Sequence, residues 1–115
     1  MASFVRAIQF KPDHTEVHNN LGNTLKELGR LGEAEANFTR AIFFKSNFAE
    51  THTNLGATLQ KLGRFEDAEA SHNQAIALNS SYVEAHSNLG ATLQRLEKLE
   101  KAQISFEIAI SLKPD

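Results

Sequence analysis

The chain contains no cysteine, only two prolines, and no uninterrupted apolar stretch of any length. Without cysteine there is neither a disulfide framework nor a thiolate metal site. Without an apolar run of roughly 18 residues there is no candidate membrane span. The opening residues do not form a secretory leader, because Arg6 and Gln9 interrupt Phe4, Ala7 and Ile8. Lys and Arg form no run, and the formal net charge is −2. That balance excludes the basic face of a nucleic-acid module and the polybasic patch of a membrane-surface protein. No alternation of apolar and polar residues marks a strand. Neither a phosphate loop nor a Gly-flanked nucleophile with a base beside it occurs. The expectation is a soluble, intracellular, cytoplasmic protein that is not an enzyme and carries no cofactor and no metal.

What is present is a period. Asn20-Leu21-Gly22 returns as Asn54-Leu55-Gly56 and as Asn88-Leu89-Gly90, thirty-four residues apart each time. His18, His52 and His86 precede it, Leu25, Leu59 and Leu93 follow it, and Ala34, Ala68 and Ala102 keep the same step. So do Ala41-Ile42, Ala75-Ile76 and Ala109-Ile110. A fixed period of this length predicts a stack of like units, each burying its apolar face against its neighbours.

Each unit is expected to be two helices. Asp13, Asn47 and Ser81 are candidate N-caps, with Glu16, Glu50 and Glu84 three residues later in the spacing of a capping box. The first helix carries Leu21, Leu25 and Leu28, or their equivalents, at spacings of four and three on one face. Gly29 and Gly63 end it in the left-handed conformation that glycine favours. Glu97 stands at the same place in the third unit, where a non-Gly residue costs up to ~1 kcal/mol, and the expectation there is a frayed turn or another geometry. The second helix is expected to begin near Glu33, Asp67 and Lys101. Its inner face is Ala34, Phe38 and Ala41, then Ala68, His72 and Ala75, then Ala102, Phe106 and Ala109.

Leu-Gly, a Leu three places later, then Gly, Ala, Phe and Ala at these spacings resemble the tetratricopeptide repeat (TPR). The resemblance covers essentially the whole chain. It implies an all-α, right-handed α-solenoid: residues 1–12 as the second helix of a partial repeat, then repeats at 13–46, 47–80 and 81–115. The departures are His18, His52 and His86 in place of an aromatic, His72 in place of Phe, and Ser46 and Ser80 in place of Pro. His52, His72 and His86 are therefore expected in the packing, where burial favours the neutral ring. His14 and His18 stand four apart, but two nitrogens without a third ligand make no metal site.

The resemblance further implies a protein-interaction scaffold, with first helices lining a concave peptide-binding groove. The run at 86–94 is similar to the superhelical repeats of O-linked N-acetylglucosamine transferase, in which the Asn before Leu bonds a bound peptide's backbone. Carried over, those residues are Asn20, Asn54 and Asn88. Asn19, Asn23, Thr53, Ser87, Gln60 and Gln94 belong to the same lining. Glu16, Glu50 and Glu84 lie at its early end, and Lys61 and Arg95 at its later end are expected to select acidic side chains. The clamp that holds a chaperone's C-terminal tail needs cations where this chain has Asn19, Asn23, Asn54, Glu84 and Asn88. A chaperone tail is thus disfavoured.

Two other functions remain open. Apolar residues at the two ends, Phe4 and Ile8 and then Phe106, Ile110 and Leu112, allow end-to-end or helix-swapped self-assembly into a homo-oligomer. The array is equally compatible with being the substrate-docking arm of a larger enzyme such as a glycosyltransferase.

Overall fold

The structure is a computed structural model that describes residues 14–113. Six helices follow one another: α1 (His14–Glu27), α2 (Leu31–Phe44), α3 (Ala49–Lys61), α4 (Phe65–Leu78), α5 (Val83–Arg95) and α6 (Leu99–Leu112). Among the described residues there is no strand, and no helix is long and apolar enough to cross a membrane. The candidate cap Asp13 and the apolar residues Phe4 and Ile8 lie outside the described residues.

Within a pair, glycine decides how closely the helices approach. A Cβ on Gly22 would lie 2.6 Å from Cε1 of Phe38, one on Gly56 2.6 Å from Cε1 of His72, and one on Gly90 2.8 Å from Cε1 of Phe106. A ring can sit there only because the side chain is missing. Around that contact Ala34, Phe38, Ala41, Ala68, His72 and Ala75 are completely buried. Between pairs, Leu55 packs on Leu25, Ala34 and Phe38, and Ile76 packs on Leu89, Leu93 and Ala102.

First helices also touch one another, α1 with α3 and α3 with α5, whereas no such contact joins α2, α4 and α6. The first helices therefore line the inside of the curve and the second helices its outside.

The turn inside each pair closes identically. Arg30, Arg64 and Lys98 donate their backbone N–H to the carbonyls of Leu25, Leu59 and Leu93, all at 2.9 Å. Gly29 and Gly63 sit at φ +81° and Glu97 at φ 61°, the left-handed region. Because the chain turns back at once, the second helices start at Leu31, Phe65 and Leu99, two residues before Glu33, Asp67 and Lys101, the starts suggested by sequence.

The capping boxes are corrected. α3 and α5 begin after Phe48 and Tyr82, both extended, and neither helix has a side-chain cap bond. Asn47 and Ser81 lie one residue outside. Ser81 is held in the preceding turn, its N–H and Oγ donating to Oδ1 of Asn79 at 3.2 and 3.3 Å. Tyr82 is half-buried; burial, then the Glu84 and Glu50 carboxylates, push its phenol up to about 12. Leu21 and Leu28 are a second correction, being exposed at 44% and 64%. Leu55 and Leu89 each have a preceding described helix pair to pack on, and Leu21 has none.

Glu97 carries a prediction. A Cβ in the left-handed region is unfavourable by about 1 kcal/mol relative to glycine. Glu97→Gly should raise the melting temperature by roughly 4 °C; thermal unfolding followed by circular dichroism measures it.

Candidate concave peptide-binding site

On the inside of the curve, α3, the start of α4 and α5 enclose a cleft lined by Ala57, Gln60, Lys61, Phe65, Asn88 and Arg95. Helical phase brings these together: Ala57, Gln60 and Lys61 are three or four residues apart on α3, and Asn88 and Arg95 lie two turns apart on α5. The Arg95 guanidinium carbon lies 4.5 Å from the centroid of the Phe65 ring, a cation–π contact that spans two repeats. Phe65 is the residue that sequence reasoning misses. Its one signal is an aromatic ring where Leu31 and Leu99 stand in the other repeats.

The asparagine column does not behave as a column. Asn20 is exposed, Asn88 is half-buried, and Asn54 is buried. Asn54 donates an amide proton to Oδ1 of Asn19 at 3.2 Å, and both side chains are only 7% exposed. This pair links successive first helices. Thr53 is corrected outright: it is completely buried inside its own repeat, where no ligand reaches it. Of the remaining candidates, Asn23 and Ser87 are half-buried and Glu16, Glu50 and Glu84 are exposed. Gln94 lies elsewhere, in a depression that runs along α6 at the C-terminal end of the stack with Leu99, Phe106 and Ile110. At that end Ile110 is 73% exposed, while Phe106 and Leu112 are half-buried.

Thr53 is internal because His72 fills the aromatic slot. Nε2 of His72 lies 3.1 Å from Oε1 of Gln60, and a carbonyl oxygen can only accept, so the proton resides on Nε2. Nδ1 then accepts from the Thr53 hydroxyl at 2.9 Å. Burial lowers the His72 pKa to about 4. His52 and His86 are buried too, each donating from Nε2 to the carbonyl six residues earlier, Ser46 at 2.8 Å and Ser80 at 2.9 Å. His14 and His18 stack on Phe44, with ring centroids 5.0 and 5.8 Å apart. No group of three His, Asp or Glu side chains able to hold a metal ion occurs among the described residues.

Stacked helix pairs with a lined inner face define a helical-repeat solenoid. A tetratricopeptide repeat profile matches residues 47–114, and two more TPR profiles match 22–63 and 3–36. The chain belongs to the tetratricopeptide repeat family. Comparison with curated proteins gives no match. Among solved structures, the first TPR domain of Spaghetti (RPAP3) bound to the HSP90 peptide SRMEEVD is 32% identical. It aligns with a TM-score of 0.86 over 88% of this chain and 80% of that one. The first TPR domain of human RPAP3 is also 32% identical, with a TM-score of 0.87 over 90% and 82% of the two chains. The second TPR domain of Spaghetti, bound to the same peptide, is 29% identical at a TM-score of 0.86 over 94% and 99%.

The buried histidine sets a pH window. Folding holds His72 neutral down to a pKa of about 4, whereas in the unfolded chain it takes up a proton near 6.5. The unfolded state therefore binds more protons as pH falls through 6.5, and up to about 3 kcal/mol of stability is lost by pH 4. Denaturant unfolding at pH 7.5 and 5 should show the loss. In His72→Phe, which repeats the ring of the neighbouring units, this contribution should vanish.

Proposed function

We propose that this chain is a protein-interaction module that holds an extended peptide segment of a partner protein in its concave groove. The observation that carries the reading is the cleft between α3 and α5, where the half-buried Asn88 amide has no bonded partner among the described residues. An amide offers both a donor and an acceptor, so it can bond a peptide group whatever side chain follows. The solved relatives that hold an HSP90 peptide in a fold of the same outline support the mode of binding.

The HSP90 tail itself is a poorer fit. At the clamp positions carried over from the family this chain has Asn19, Asn23, Asn54, Glu84 and Asn88, so no cation faces a terminal carboxylate and Glu84 repels it. The likeness to the repeats of O-linked N-acetylglucosamine transferase rests on the Asn before each Leu. Asn54 is engaged with Asn19, and of the remaining Asn20 and Asn88 only Asn88 lines the cleft. A role as a docking arm, with any catalysis elsewhere, uses the same groove.

The two asparagines separate recognition from packing. Asn88→Ala should weaken peptide capture roughly tenfold, the worth of one or two hydrogen bonds, with an unchanged melting temperature. Asn54→Ala should lower stability by about 1 kcal/mol because the buried Asn19 oxygen loses its donor. Calorimetric titration with a bound peptide, beside thermal melts of both variants, tests the assignment. Equal binding by Asn88→Ala would move the site off this cleft.

One observation favours self-assembly as a second reading. The exposed Val17 and Leu21 on α1 repeat positions that are covered in the later repeats, Thr51 and Ala85 being completely buried and Leu89 nearly so. At the other end Ile110 is bare. An α1 from one copy set against α6 of the next would repeat a contact made twice within the chain, head to tail and without closure. Sedimentation across a dilution series should then show mass falling with concentration, and Ile110→Glu should leave monomers only.

A further inference from the structure

We infer that the cleft between α3 and α5 is specific for an acidic side chain, Asp or Glu, placed within an extended peptide and held by Lys61 and Arg95. The inference rests on the groove reading above and adds what the ligand must carry. Lys61 and Arg95 are the last residues of α3 and α5 and line one cleft with Gln60 and Asn88. Neither makes an ion pair among the described residues, whereas Arg30, Arg64 and Lys98 in the turns are each paired with a carboxylate at 2.7–3.1 Å. Two like charges on one partly enclosed surface repel each other, and an anion between them removes the repulsion.

A cation at a helix C-terminus also suits the helix dipole, which contributes about 0.3–1 kcal/mol. The dipole alone does not fix their position, because α1 carries its last-turn cation at Lys26 and has Glu27 at the equivalent last place. Stacking on Phe65 fixes the plane of the Arg95 guanidinium. A fixed plane keeps its edge donors arranged as a fork that matches a carboxylate. Lys61 adds a point charge without directional demand. The Asn88 amide beside them, and the NH2 of Gln60, whose oxygen is held by His72, suit a peptide backbone that continues through the cleft, which points to an internal residue instead of a chain terminus.

The other edge of the groove sets the direction. Glu50 and Glu84 stand in the first turns of the same helices, about 16 Å from the cations at ~1.5 Å per residue. That exceeds the Debye length of about 8 Å at physiological salt, so the two fields do not cancel and an acid is drawn to one edge only.

A positional-scanning library of N-acetylated, C-amidated nonapeptides tests this without a known partner, because no terminal carboxylate is present. Capture of the labelled chain should rise at least about tenfold when one position is fixed as Asp or Glu in place of Asn or Gln. The preference should shrink at high salt. In the Lys61→Gln/Arg95→Gln variant the ratio of acid to amide capture should fall to one; both positions are exposed, and helical ellipticity confirms that the variant folds. Capture with no acid preference, or a preference that survives in the variant, overturns the acidic subsite and leaves the groove reading standing. A free C-terminal carboxylate that outcompetes the internal acid overturns it likewise. No capture by any pool overturns both.

Discussion

Everything in this structure depends on a side chain that is missing. Three times a ring lies where the Cβ of a first-helix residue would be, within 2.6–2.8 Å of that position. Only glycine permits it, and the two helices of a repeat come together at the distance it sets. Once that distance is fixed, the leucines and alanines on either side have a defined hole to fill, and near-complete burial follows. The order of helices follows as well. α3 and α5 are each pressed between their own second helix and the preceding one, which is what brings the first helices into contact along the inside of the curve.

The same contact governs which polar residues remain available to a partner. In the outer two repeats the ring is phenylalanine and asks for nothing further. In the middle one it is His72, whose two nitrogens require partners when buried. Thr53 and Gln60 supply them, and Thr53 is thereby withdrawn from the groove. Asn54 is withdrawn by a different route, the bond to Asn19 across the seam between repeats. Packing and recognition draw on one set of side chains, and the inner face that remains for a ligand is smaller than its polar composition implies.

Much of the fold was legible in the chain, because a period of thirty-four residues with Leu-Gly and Ala at fixed offsets admits few architectures. The left-handed turn was legible at Gly29 and Gly63, but at Glu97, where fraying or another geometry was expected, the chain keeps the same left-handed turn. Helix starts were not legible. Asn47 and Ser81 have cap chemistry, but Phe48 and Tyr82, which follow them, occupy the cap position, and neither helix has a side-chain cap bond. The cationic edge was expected from the family resemblance, which puts the first helices on the inner face, together with the shared register of Lys61 and Arg95. Phe65 was hidden because its contact runs between repeats, from the start of α4 to the end of α5. Repetition of sequence shows what each unit has in common; a contact made once appears only when the units are stacked.

The charge pattern of the inner face links the fold to the proposed ligand. Carboxylates in the first turns of α1, α3 and α5 and cations in their last turns suit the dipole of each helix. Because all the first helices point the same way, those preferences add across the stack and give the groove one acidic edge and one basic edge. A lone helix would carry the same pattern to no effect in water. Stacked in parallel, side by side, three such helices make a surface with a direction, and an extended peptide crossing it meets different charge at its two ends. Glu27, the exception at the end of α1, confines the basic edge to the second and third repeats. That is where Phe65 braces Arg95 and where the unengaged Asn88 amide lies.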